Sequence, residues 1–152
     1  VTPDEGTMTY SEEGVPVEKD ALYRHISFAA PYLTLVEDLT LRESVAFHGK
    51  FKKFFGKRTV DDVIAYSGLA ASADKQVKHF SSGMKQRLRL TLAFLSDTPL
   101  LLLDEPLSNL DRAGIDWYKG SVNEFTRSRT VVVCSNRQEE EFFFCKTKLE
   151  LH

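Results

Sequence analysis

The sequence predicts an α/β fold whose core is a parallel sheet covered by helices. Residues 99–103 and 130–134 are short apolar runs without polar alternation, the pattern of strands buried on both faces. Each is followed by a stretch with helical spacing. The order strand, helix, strand, helix closes into a sheet through right-handed crossovers. Composition agrees: 152 residues, 42% hydrophobic and 28% charged, are ordinary globular values with enough apolar material for a core. Disorder is thereby disfavoured.

The elements follow in order along the chain. The first 25 residues alternate turn residues with short β-type runs. Thr7-Met8-Thr9-Tyr10 follows the turn Pro3-Asp4-Glu5-Gly6, and Glu12-Glu13-Gly14 makes a second turn, so small antiparallel strands are expected. Residues 26–29 read as a strand that Pro31 ends. Thr40 with Glu43 is a capping box opening a helix through about Phe47. Thr59 with Asp62 starts a second helix striped by Val60, Val63 and Ile64 and closed by Gly68. A polar stretch, 71–79, precedes a helix opened by Ser81 or Ser82. Its inner face is Met84, Leu88, Leu92 and Leu95, with Lys85, Arg87 and Arg89 in water. Residues 111–126 form a helix that buries Ile115, Tyr118, Val122 and Phe125. Asn136 with Glu139 caps another to about Phe144, and 147–151 ends the chain as a last strand.

Several function classes are disfavoured by bulk properties. Twenty basic against 22 acidic residues give a net charge of −2, which argues against a nucleic-acid binder. The longest aliphatic run, Leu100 to Leu103, falls far short of the roughly 20 residues a membrane span needs. Cys134 and Cys145 have neither metal spacing nor a disulfide pattern and suit a reducing compartment. His25, His48 and His79 lack metal spacing, and Trp117 reads as packing. The basic, aromatic stretch 48–58 reads as a helix end with packed phenylalanines and solvated lysines in preference to a membrane-facing surface.

Two segments carry chemistry. Leu100-Leu101-Leu102-Leu103-Asp104-Glu105-Pro106 delivers adjacent carboxylates at the C-terminal end of a buried strand, the edge where α/β sheets bind ligands. Neighbouring side chains on a strand face opposite ways, so one carboxylate can address a metal while the next addresses a water. Those are the two acidic roles phosphoryl transfer needs. A turn with solvated acids is the alternative, and the leucines disfavour it, because acids set against a buried strand need partners. Phe80-Ser81-Ser82-Gly83-Met84 opens a helix with small residues, leaving backbone N–H groups and a favourable dipole for an anion. From that segment alone a plain serine N-cap is the favoured reading.

With Ser108-Asn109-Leu110-Asp111 following, the chain resembles the ATP-binding-cassette (ABC) ATPases essentially from end to end. Ser81-Ser82-Gly83-Met84 is similar to the family signature LSGGQ, residues 100–104 to its Walker B strand, Glu105 to its catalytic glutamate, and residues 108–111 to its D-loop. Leu39-Thr40-Leu41-Arg42-Glu43 resembles the opening of the helical subdomain, and residues 3–10 the strand after the P-loop helix. The resemblance implies a P-loop NTPase-like α/β fold with a parallel sheet core, a small helical subdomain at about 40–80, an antiparallel β part, and the signature, Walker B, D-loop and C-terminal α/β region in 81–152. It implies ATP and Mg²⁺ as cofactors, with ATP sandwiched between two cassettes of a homo- or heterodimer. Glu105 would polarise the attacking water and Asp104 would hold Mg²⁺. Ser81, Ser82, Gly83, Met84, Asn109, Asp111 and Asn136 would form the nucleotide-binding set.

Four departures qualify it. No G-x-x-x-x-G-K-[ST] occurs: Gly49-Lys50 is followed by Phe51, and Gly56-Lys57 by Arg58. The chain begins at Val1 in turn-like sequence, so we expect an N-terminally truncated cassette, about the C-terminal two-thirds of one, inactive by itself. Ala30 or Pro31 stands where the family has the Q-loop glutamine, and Ser135-Asn136-Arg137 replaces its switch histidine motif. Asn136 can hydrogen-bond a phosphate but cannot titrate. Ser82 and Met84 replace Gly and Gln of the signature. The leading expectation is the ATPase subunit of an ABC transporter, cytoplasmic and peripheral to the membrane through permease partners, with no nucleic acid. The alternatives are a non-catalytic regulatory cassette or a soluble non-transport ABC ATPase. The long coiled coils of chromosome-associated members do not fit the about 50 residues between Pro31 and Ser81.

Overall fold

The structure is a computed structural model that describes residues 9–136 and 138–150. Of the expected strand at Thr7–Tyr10, Thr7 and Met8 fall outside those residues, and Thr9 and Tyr10 precede the first described strand without strand structure. Five strands and five α-helices are described: β1 (Ser11–Glu12), β2 (Val15–Pro16), β3 (Ile26–Ala29), α1 (Leu41–Gly49), α2 (Val60–Ser67), α3 (Ser82–Leu95), β4 (Leu100–Asp104), α4 (Arg112–Phe125), β5 (Thr130–Cys134) and α5 (Glu139–Phe142). β3, β4 and β5 form a parallel sheet in that order, and β1 and β2 an antiparallel hairpin. The hairpin turn places Glu13 and Gly14 at φ 49° and 82°, the left-handed pair a two-residue turn requires.

The capping boxes form as read. The Thr40 and Thr59 hydroxyls accept from Glu43 N–H and Asp62 N–H, and each N3 carboxylate accepts from the cap's own amide. Gly68 ends α2 at φ 71°. The core is a single cluster in which Leu88, Phe94 and Leu95 of α3 meet Tyr118 and Val122 of α4, Leu101 and Leu103 of β4, and Val63 and Ile64 of α2.

Several sequence expectations change. β4 does not bury both faces: Leu101 and Leu103 are buried while Leu100 and Leu102 are half-exposed, and Phe28 and Val132 beside Leu102 are exposed. Among the described residues, dense packing covers one face of this sheet. Arg87 and Arg89 are not in water. The Arg87 guanidinium lies 4.5 Å from the Trp117 ring and its Nε donates to Ser67 O at 2.6 Å, and Arg89 Nε donates to Leu33 O at 2.8 Å. α3 is enclosed by α2, α4 and β3, so its flanking arginines satisfy carbonyls at the seams. Lys52 likewise donates to Ile26 O, while Phe47 and Phe51 remain exposed. Asn136 is not an N-cap: α5 starts after Gln138, whose amide donates to Ser135 Oγ at 3.2 Å. Residues 147–150 form no strand.

Candidate functional site

The C-terminal edge of the parallel sheet gathers the segments singled out in the sequence. β4 ends at Asp104, and the chain turns at once. Glu105 sits at φ 41°, Ser108 N–H donates to Glu105 O at 3.0 Å, Asn109 sits at φ 63°, and Leu110 N–H donates to Leu107 O at 3.1 Å. Asp111 then caps α4, its Oδ1 accepting from Gly114 N–H at 2.8 Å. Two non-glycine residues in left-handed backbone within five positions mark a turn held by its surroundings, at a cost of about 1–3 kcal/mol each.

Those surroundings are α3 and the strand beside it. A Cβ on Gly83 would stand 2.8 Å from Asn109 O, so the start of α3 touches the 104–111 loop closely enough that only glycine fits. One turn on, the fully buried Gln86 donates from Nε2 to Pro106 O at 3.1 Å. From the β5 side, Glu105 N–H donates to Cys134 O at 2.9 Å. The Glu105 carboxylate is held at both oxygens: the Asn136 amide donates to Oε1, and Ser108 Oγ donates to Oε2 at 3.3 Å.

Ser81 caps α3, its Oγ accepting from Met84 N–H at 3.2 Å. The amides of Ser82 and Gly83 come before the first intrahelical acceptor, as at any helix start, and both serines are exposed. Met84 turns its side chain toward the core. The Tyr32 hydroxyl faces the Asp104 carboxylate, and that acceptor, with partial desolvation, raises the phenol's pKa. Among the described residues no three His, Cys, Asp or Glu side chains cluster as a metal cage. A lone carboxylate suits Mg²⁺, which keeps waters and takes phosphate oxygens beside one or two protein ligands.

The structure therefore brings Ser81, Ser82, Gly83, Asp104, Glu105, Asn109 and Asn136 to one edge. Met84 points inward, and the Asp111 carboxylate is engaged in its own helix cap. Sequence reasoning set Tyr32 in a groove for membrane partners beside the Q-loop position but missed its place against Asp104, and it missed Gln86 and the buried Glu141. Tyr32 follows a strand end beside the expected Q-loop position, and Gln86 is a polar residue among apolar helix positions; either was a usable signal. Glu141 lies in a run of three glutamates that reads as a solvated face. No helix of the described residues is long and apolar enough to cross a membrane.

The chain is similar to known proteins. The ABC transporter family model matches residues 1–108. An uncharacterized ABC transporter ATP-binding protein, YybJ of Bacillus subtilis, is 27% identical over 97% of this chain and 71% of its own length. The Nod factor export ATP-binding protein I of Sinorhizobium fredii is 34% identical over 72% of this chain, and the bacitracin transport ATP-binding protein BcrA of Bacillus licheniformis is 29% identical over 88%. The chain spans 33% and 44% of those two proteins. A solved structure of the ATP-binding subunit of an ABC transporter superposes with a TM-score of 0.69 at 23% identity, over 84% of this chain and 55% of that one. That last likeness speaks for the fold.

Proposed function

The chain belongs to the ABC transporter family, and from that premise we propose that it is part of a nucleotide-binding subunit that hydrolyses ATP at a dimer interface to drive transport by membrane partners. One observation carries the reading: the N-terminus of α3 and the adjacent carboxylates of Asp104 and Glu105 share one sheet edge, locked together at Gly83 and Asn109. An anion-binding helix start is half of a phosphate site, and closing it against a second cassette supplies the other half.

In this reading Ser81, Ser82 and Gly83 face the γ-phosphate of a nucleotide cradled by the second cassette. Asp104 would hold Mg²⁺, which when bound would neutralise phosphate charge. Glu105 orients the attacking water and draws on its proton through a carboxylate fixed by Asn136 and Ser108. Asn136 holds the carboxylate where the family's histidine would stand. Asn109 and Asp111 set the D-loop that faces the partner cassette, and residues 40–80 form the helical subdomain that meets the membrane subunits. A cytoplasmic site at the membrane through those subunits follows from the same reading.

The test is ATP turnover by the complete assembled protein, wild type against Glu105→Gln. The expected result is a loss of at least about 100-fold in kcat with ATP binding retained, as for removal of a group acting in the chemical step. Equal turnover in the two would overturn Glu105 as the catalytic residue and leave the non-catalytic, regulatory cassette. The 152 residues by themselves contain no phosphate-cradling lysine loop, and no Mg-dependent turnover is expected from them alone.

A further inference from the structure

Behind the acidic turn lies a carboxyl group that the proposed chemistry does not use. Glu141 is 1% exposed, although it belongs to a four-residue helix whose Glu140 is held at the surface by Lys119 at 2.6 Å and Arg112 at 3.5 Å. Those ion pairs already fix α5 to α4, so docking alone does not call for an acid at position 141. Burying a carboxyl costs several kcal/mol unless it is used. The carboxyl is used: Oε1 accepts from the buried Leu107 N–H at 3.1 Å, while the main-chain oxygen separately accepts from the fully buried Tyr118 hydroxyl at 2.6 Å. Ser135 is its third neighbour, and Oε2 has no hydrogen-bond partner.

The places it touches are informative. Leu107 adjoins Ser108, which donates to one oxygen of Glu105, and Ser135 adjoins Asn136, which donates to the other. Glu141 thus bonds the neighbour of one group that holds the Glu105 carboxylate and lies beside the neighbour of the other. We propose that Glu141 is a positioning residue for Glu105, its carboxyl anchoring the 106–108 turn to α5 through Leu107 beside the 135–136 arm. The inference rests on the reading of Glu105 as the residue that orients water. Burial raises the Glu141 carboxyl's pKa, against the opposing pull of the Ser135 hydroxyl and Leu107 amide, so glutamine is a fair isostere of its neutral form.

The experiment has two arms. In the chain itself, amide hydrogen exchange is compared for wild type, Glu141→Gln and Glu141→Met, the last keeping volume without an acceptor. Glu141→Met should speed exchange at Leu107 and across 105–108 and 135–136 by about tenfold, the loss of one buried hydrogen bond, with α1 and α2 unchanged. Glu141→Gln should stay within about threefold of wild type, since its carbonyl still accepts from Leu107. In the complete assembled protein, Glu141→Met should lower kcat by about tenfold with KM for ATP unchanged, and Glu141→Gln should restore most of it. If Glu141→Met does not fold, Glu141→Asp keeps the carboxyl but shortens its reach to the Leu107 N–H and should show the same pattern more weakly. Exchange that rises uniformly through the chain, or unchanged kcat beside loosened local exchange, overturns the proposal. If Glu105→Gln also leaves turnover untouched, the reading of Glu105 fails as well, and the exchange arm separately reports whether the anchor exists.

Discussion

At the scale of single residues, the site is set by contacts with almost no slack. Gly83 has no unusual backbone angle; its requirement comes from the Asn109 carbonyl, 2.8 Å from where a Cβ would stand. The obstacle is backbone, and the 104–111 loop is already held at Glu105 and Asn109 in left-handed conformations, so it has little room to yield. Gly83→Ala should cost about 1–3 kcal/mol in urea unfolding, the usual range for overpacking. A change under about 0.5 kcal/mol would show that the loop moves freely. The signature-like motif was legible because Ser-Ser-Gly at a helix start is a local pattern. The reason for its glycine was not, since Asn109 lies 26 positions away in the chain.

At the scale of elements, α1 carries a pH response. His48 stacks on Phe54 at 5.8 Å and its Nε2 lies 2.8 Å from Ser96 Oγ. Burial, with Lys52 nearby, lowers its pKa to about 4 from the ordinary 6.5. A histidine with a depressed folded pKa binds fewer protons folded than unfolded, so its contribution is fully present above the unfolded pKa and is lost as pH falls toward 4. Stability should drop by roughly 2 kcal/mol between pH 7 and pH 5 from this group. Urea unfolding at the two pH values checks it, and His48→Gln should flatten the difference. The capping boxes of α1 and α2 were legible because each is completed within four residues. The start of α5 was misread: Asn136 and Glu139 have the spacing of a cap, but the Asn136 amide reaches across to Glu105 instead.

At the scale of the molecule, one side chain ties separate parts together. Arg129, just before β5, donates to Phe94 O at 2.8 Å and Ser96 O at 3.0 Å at the end of α3, and to Phe125 O at 2.7 Å at the end of α4, with its guanidinium 5.2 Å from the Phe55 ring. Burial lowers its pKa to about 10, still charged at neutral pH. Arg129→Ala would strand carbonyls at two helix ends and should cost roughly 2–4 kcal/mol, read by urea unfolding on Trp117 fluorescence. Arg129→Lys should recover little, since one ammonium cannot span the fork. The sequence by itself determined the fold class, the extents of β3, β5 and α2, and the capping boxes of α1 and α2, because hydrophobic period and turn chemistry are local. Only the tertiary structure decided that one face of β4 is half-open, that Arg87, Arg89 and Arg129 serve as internal cross-links, and that Glu141 is buried behind Glu105. Those outcomes depend on which surfaces meet across 20 or more positions of chain, and no window of sequence holds both sides of such a contact.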